Sequence, residues 1–301
     1  MATSAEGSGA RAPVVGVIGL GIMGGAMARH LLAAGRNVVG FDVAEAPTKA
    51  FTEAGGSALL DVASVAAAAD VAILSLPSVA TFQDVVNQLA SATGVRVRAI
   101  ADTSTMPLEV KVWAHEQLSA TGRSLLDCPI SGTGAQMAAM DAVFYTSGDP
   151  PALALAEPVL ADCGKGVFSL GAFGNGTRLK LVSNHLVTIH NAAGGEAIAL
   201  ARHVGIDPAV ALEALTAGAG NSRMLEVRGP MMVAGEYEPP TARLEILVKD
   251  VEIITALART SRVPLPVFAA AAQLHLAAMA CGWENADPAS VHAVIEGLAG
   301  G

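Results

Sequence analysis

Aromatic side chains are scarce in this chain of 301 residues: two Trp, two Tyr and seven Phe, or 4%. That leaves little for a surface on which bases could stack. Positive charge is short as well, with 18 Lys and Arg against 27 Asp and Glu and a net charge of −9. A nucleic-acid partner, which needs a basic face, is therefore not expected. No unbroken run of about 20 apolar residues occurs, so no membrane span is expected. Cysteine appears only at Cys128, Cys163 and Cys281. An odd count at wide spacing makes neither a disulfide framework nor a zinc site, and a reducing cytoplasm is the expected compartment. The histidines are scattered over helical patterns with no H-x-x-x-H pair, so no metal is expected.

What the chain does have is apolar content, 52% against 15% charged. That supports a large core and excludes wholesale disorder, and the length suits two domains. Met1 to Arg11 is rich in Ala, Ser and Gly and lacks the apolar segment of a secretory signal. Residues 1–12 are expected to form a disordered lead-in. Short β-branched runs then alternate with helical patterns. Strands are expected at Val14–Ile18, Asn37–Phe41, Val71–Leu76 and Val97–Ala101, and further ones at Ser124–Cys128, Val143–Ser147 and Val167–Leu170. Helical segments fall around Pro47–Ala54 and Thr81–Leu89. Such alternation predicts a parallel, doubly wound α/β sheet. Near Gly174 the pattern changes to one long helix, Arg178 to about His203, and helices continue to the end. The expected domains are residues 13–173, a doubly wound α/β unit, and residues 174–301, an all-α unit.

Gly19-Leu20-Gly21-Ile22-Met23-Gly24 is a G-x-G-x-x-G string. It follows an expected strand, opens an expected helix, and precedes Asp42, at the end of the next strand, by eighteen positions. In that context it is a dinucleotide fingerprint, and residues 13–173 are expected to be a dinucleotide-binding Rossmann unit. Gly19 permits the tight turn, Gly21 lets the backbone approach a pyrophosphate, and Gly24 lets helix and strand pack. The helix N-terminus offers N–H groups to the phosphates. Asp42 can accept both adenosine ribose hydroxyls and would repel a 2′-phosphate, and Val43 and Ala44 offer no arginine for one. The cofactor expected is NAD rather than NADP.

Further on, Lys180 and Asn184 stand at i and i+4, on one face of the long helix. Read from its neighbours alone, Lys180 is equally a surface lysine at a helix start or a desolvated general acid/base. Desolvation disfavours the ammonium and prepares the amine for proton exchange with a hydroxyl.

With these motifs in place the chain resembles the β-hydroxyacid dehydrogenase family, which includes 3-hydroxyisobutyrate dehydrogenase and tartronate semialdehyde reductase. The resemblance covers nearly the whole chain. It rests on the glycine fingerprint, on Asp102-Thr103-Ser104-Thr105 (like a D-x-S-T loop), on Asp127-Cys128-Pro129-Ile130-Ser131-Gly132 (like D-A-P-V-S-G), and on the G-x-G-x-x-x-K-x-x-x-N element from Gly174 to Asn184. Lys249-Asp250 matches a late K-D pair. The resemblance implies that Lys180 is the catalytic lysine and Asn184 its helper. It implies that Leu76, Pro77, Thr81 and Thr105 join Gly19, Gly21, Ile22, Met23, Gly24 and Asp42 around the cofactor, with Lys249 nearby. Ser131, Gly132 and Thr133 would bind a substrate carboxylate. The active site would lie in the cleft between the domains.

The chain also departs from the family pattern. Thr133, Gln136 and Met140 stand where the family usually has glycine, and Pro107 follows Thr105 by two residues rather than three. A reshaped substrate pocket is expected. Gly218-Ala219-Gly220-Asn221-Ser222 and Pro264-Leu265-Pro266 are similar to the threonate-dehydrogenase branch. There Asn221 is either a substrate donor or part of a helix-ending turn. The function expected is hydride transfer between nicotinamide and a small hydroxy acid resembling 3-hydroxyisobutyrate, glycerate or threonate, by a cytoplasmic homodimer or homotetramer. The alternatives are an imine reductase, whose members typically carry Asp or Tyr at the position of Lys180, and an NAD-binding regulatory or scaffold protein with a vestigial site.

Overall fold

The computed structural model describes residues 13–300, so the expected lead-in at 1–12 lies outside the described residues. The chain forms two compact units that divide after Leu179.

The first unit opens with β1 (Val15–Ile18), α1 (Ile22–Ala33), β2 (Val38–Phe41), α2 (Glu45–Glu53) and β3 (Ser57–Ala58). It continues with α3 (Val62–Ala68), β4 (Val71–Leu74), α4 (Val79–Ser91), β5 (Ala99–Asp102), α5 (Leu108–Ser119) and β6 (Ser124–Asp127). These six strands make one parallel sheet in the order β3-β2-β1-β4-β5-β6, the dinucleotide-binding order. Strands β1, β4 and β5 are buried along their whole length, which suits the continuous β-branched and alanine runs of a sheet covered on both faces. One core layer gathers Met27, Leu31, Val71, Ile73 and Phe144. The other gathers Ile18, Leu74, Phe82, Leu89 and Ile100. Polar residues set the helix starts: Asp61 caps α3 and Ser78 caps α4, each accepting a backbone N–H three residues on.

The remaining strands do not extend this sheet. They are β7 (Ile130–Ser131), β8 (Val143–Thr146) and β9 (Gly166–Ser169), with α6 (Gly134–Ala138) and α7 (Pro150–Ala161) between them. They form a separate three-stranded sheet in which β7 runs antiparallel to β8.

The long helix α8 runs from Asn175 to His203. It starts earlier than the sequence predicts because the Gly176 and Thr177 N–H groups find partners, as described below. The second unit adds α9 (Pro208–Ala217), α10 (Arg223–Ala234), α11 (Leu244–Ser261), α12 (Pro266–Ala280) and α13 (Val291–Leu298). Its cores gather Ile198, Leu225, Met232 and Val291 in one place and Val251, Ile254, Phe268 and Ala272 in another. Among the described residues no helix is long and apolar enough to cross a membrane.

Candidate functional site

In the first unit the glycine loop is built for close backbone approach. Gly19 has φ +90°, and a Cβ there would run into the Ser75 carbonyl. A Cβ on Gly24 would strike the Gly19 carbonyl, so position 24 tolerates no side chain. Gly21 is exposed with nothing within 4 Å of where its Cβ would be. No side chain caps α1, so its first-turn N–H groups have no capping side-chain partner. Ile22 is exposed and Met23 half-buried.

Asp42 stands just past β2, where its carboxylate is fixed by the Leu20 N–H on Oδ2 at 2.6 Å and the Ala44 N–H on Oδ1 at 2.8 Å. Each oxygen retains acceptor capacity. An uncapped helix start, a glycine open to solvent and a carboxylate at the adjacent strand end fit a dinucleotide: phosphates at the first, ribose at the last.

The loops after β4 and β5 are stitched together beside this turn. The Leu76 N–H donates to Ser104 Oγ at 2.9 Å, and the Ser104 N–H donates to Asp102 Oδ1 at 3.0 Å. Thr103 donates to the Leu74 carbonyl through both its N–H and its hydroxyl. Pro77 and Thr105 are exposed on these loops, while the Thr81 amide donates to Ser78 Oγ in the cap of α4. The Ser131–Gly134 loop reaches the same place, since a Cβ on Gly134 would sit 2.5 Å from Ile22 Cγ2.

The departures from glycine in this loop have a structural consequence. Thr133 and Gln136 form a reciprocal capping box at the start of α6. The Thr133 N–H donates to Gln136 Oε1 at 3.0 Å, and Gln136 Nε2 donates to Asp141 Oδ2 at 3.2 Å. Thr133's amide is thus engaged within the protein, and the whole Ser131–Gly134 loop is half-exposed.

In the second unit, Lys180 and Asn184 lie one turn apart on α8, both partly exposed. Asn184 Nδ2 donates to Asp250 Oδ2 at 2.6 Å, and Asp250 is buried on α11. Burial holds the Lys180 amine below the usual lysine range, and the negative charge of Asp250 opposes that shift. Burial likewise raises the Asp250 carboxyl, against the pull of Lys180, the Asn184 hydrogen bond and Lys249. Lys249 itself is exposed. Sequence reasoning singled out the lysine of the K-D pair and missed the aspartate, although Asp250 is the residue that meets Asn184.

Asn221 goes elsewhere. Its Nδ2 donates to Glu226 Oε1 at 2.7 Å, and the neighbouring Ser222 caps α10. Asn221 lines a pocket of about 230 Å³ with His190 and Gly194. His190 is ten residues further along α8 than Lys180, about 15 Å at the helical rise. Within the second unit Asn221 is hydrogen-bonded to Glu226, not to Lys180 or Asn184. Among the described residues no cluster of His, Cys, Asp or Glu could hold a metal ion.

Two family models match in tandem. One, described as the NAD-binding domain of 6-phosphogluconate dehydrogenase, covers residues 14–171. The other, described as NAD-binding of NADP-dependent 3-hydroxyisobutyrate dehydrogenase, covers residues 174–295. An L-threonate dehydrogenase of Cupriavidus necator is 35% identical over 94% of this chain and 96% of its own. The chain belongs to the β-hydroxyacid dehydrogenase family. Other members show the range of substrates among its relatives. Glyoxylate/succinic semialdehyde reductase 2 of Arabidopsis thaliana is 30% identical over 94% of this chain and 79% of its own. The crystal structure of a 3-hydroxyisobutyrate dehydrogenase from Salmonella typhimurium superposes with TM-score 0.81 at 28% identity, covering 93% of this chain and 99% of that one. As a β-hydroxyacid dehydrogenase family member, the chain is an NAD(P)-binding oxidoreductase.

Proposed function

We propose that this protein interconverts a small hydroxy acid and its carbonyl product with NAD, and that Lys180 is its general acid/base. The observation that carries the reading is the Lys180–Asn184–Asp250 arrangement: an amine with depressed basicity one helical turn from an amide oriented by a buried carboxylate. When bound, the nicotinamide supplies hydride acceptance and return. In oxidation Lys180 Nζ, in its neutral form, takes the substrate hydroxyl proton; in reduction the ammonium gives it back. Asn184 donates one amide hydrogen to Asp250 and keeps a second for substrate or for Lys180. Ser131 and Gly132 hold the carboxylate, with Thr133 fixing the loop through its cap on Gln136. Leu76, Pro77, Thr81 and Thr105 line the cofactor with the glycine turn, and Lys249 contributes positive charge near it.

For the substrate we favour a four-carbon sugar acid of the threonate kind, supported by the similarity to threonate dehydrogenases. A panel of threonate, 3-hydroxyisobutyrate, glycerate and serine with NAD, followed at 340 nm, tests this. Threonate is expected to give the highest kcat/KM. A preference for serine would overturn the substrate class, and no response to any acid would overturn the activity.

NAD is favoured over NADP by the Asp42 charge, held in place by two amides, and by the absence of a cation at Val43 or Ala44. NADH is expected to bind more tightly than NADPH in a direct titration. The opposite order would contradict the assignment.

A further inference from the structure

Lys111 is the largest anomaly in the first unit, a lysine with 0% exposure inside α5. A buried ammonium is costly unless paired and hydrogen-bonded. Here Nζ lies 2.8 Å from Asp127 Oδ1 and 3.0 Å from Asp102 Oδ2, and both carboxylates are fully buried at the ends of adjacent strands. From this amine two polar paths lead outward, the first beginning with the ion pair to Asp102 and the second with the hydrogen bond to Asp127.

One path passes through Asp102 to the Ser104 N–H, and from Ser104 Oγ to the Leu76 N–H, on the loops assigned above to the cofactor. The other passes through Asp127. Its Oδ1 also accepts the Thr177 hydroxyl and its Oδ2 the Thr177 N–H, each at 2.7 Å. Ser147 Oγ accepts the Gly176 N–H at 2.9 Å and donates to the Asp127 carbonyl at 3.2 Å. A Cβ on Gly176 would lie 2.6 Å from that same carbonyl oxygen. The start of α8 is thus pressed onto the end of β6, where the Asp127 carboxylate takes the Thr177 N–H and the Ser147 hydroxyl the Gly176 N–H. Lys180 follows Thr177 by three residues on the same helix, a rise of about 4.5 Å.

We propose that Lys111 is a positioning residue: it joins the strand-end carboxylates so that the cofactor loops and the helical turn preceding Lys180 are set by one rigid network. The proposal rests on Lys180 being the acid/base. Apolar residues in place of all three charged groups could fill the same space without loss of stability. They could not make the hydrogen bonds that tie the two strand ends to the loops and to α8, and what depends on those bonds is the geometry of reaction. Small misplacements of a reacting group cost much in rate, about 10²-fold per ångström in severe cases.

The test uses the full-length protein in steady-state assays with the best acid of the panel. Thr177→Val removes the hydroxyl bond to Asp127 while keeping shape and the N–H bond. It is expected to lower kcat by about 10-fold or more while the KM for NAD stays at the wild-type value. Thr177→Ser, which restores the hydroxyl, is expected to recover kcat. Lys111→Met is expected to lower kcat and, through Ser104 and Leu76, to raise the KM for NAD as well. Wild-type kcat in Thr177→Val would overturn the proposal. So would a loss in Thr177→Val that Thr177→Ser does not recover. Lys180→Ala, run alongside, separates the two claims. If it keeps full turnover, the acid/base reading fails. If it is inactive while Thr177→Val behaves as wild type, only the positioning role fails.

Discussion

Lys180→Ala is expected to lower turnover by about 10² to 10⁴, the range supplied by a positioned proton-transfer group. NADH affinity should stay at the wild-type value. The two effects separate because the groups that fit the dinucleotide belong to other elements: the turn from Gly19 to Gly24, and Asp42 fixed by the Leu20 and Ala44 amides. Neither relies on the lysine side chain. Titration of NADH fluorescence gives the affinity, and the rate at saturating substrate gives the turnover. Wild-type turnover in the variant would remove the acid/base role. A small primary amine added to the assay should restore part of the lost rate, since it returns a proton carrier of the same chemistry to the vacated space.

Lys111→Met is expected to be the most destabilising single change in the first unit. Methionine nearly preserves the buried volume but removes the only cation facing Asp102 and Asp127 among the described residues. Stranding one side of a buried ion pair costs about 3–5 kcal/mol. At about 2–4 °C per kcal/mol for a unit of this size, the melting temperature should fall by about 6–20 °C. The opposing forces are visible in the wild type. Burial raises the Asp102 carboxyl against the attraction of Lys111, and the two carboxylates hold Lys111 up at about 12 against its own burial. A carboxyl whose folded pKa is raised costs stability at pH values where the unfolded chain would ionise it, and that cost shrinks as pH falls. The melting deficit of the variant should therefore narrow on acidification. An unchanged melting temperature at neutral pH would show that the triad adds no net stability.

The dinucleotide half of the fold was legible because each signal is local. The β-branched run into Gly19, the glycine spacing and the arrival of Asp42 at the next strand end are short-range patterns, and the parallel sheet follows them in order. The strand ends shifted by a residue or two, where pairing with a neighbour, not propensity, decides the last bond. Ser57–Ala58 gave no signal, being two exposed residues paired only at the sheet edge. Two of the three strands after Asp127 were recognised individually and the two-residue β7 was not, and their separation into a second sheet depends on long-range pairing that no local pattern carries. Lys180 and Asn184 stood out by their helical spacing. Asp250 did not, because its partner lies 66 positions away in sequence. Lys111 sits between Val110 and Val112 and reads as an ordinary charge on a helix. Only the tertiary structure shows that its helix face turns toward two strand ends. The Thr133–Gln136 capping box was present as a string, T-x-x-Q, yet the departures from glycine read only as a reshaped pocket.

The pH dependence of the two directions of reaction tests the central claim most directly. Burial places the Lys180 amine below the usual lysine range. Oxidation needs the neutral amine, so its rate should rise with pH through that lowered pKa. Reduction needs the ammonium, so its rate should fall over the same interval. Asp250→Asn removes the charge that opposes the shift, and both limbs should move to lower pH. If the limbs appear unchanged in Lys180→Ala, or if Asp250→Asn moves them upward, the amine does not carry the proton and the account is wrong.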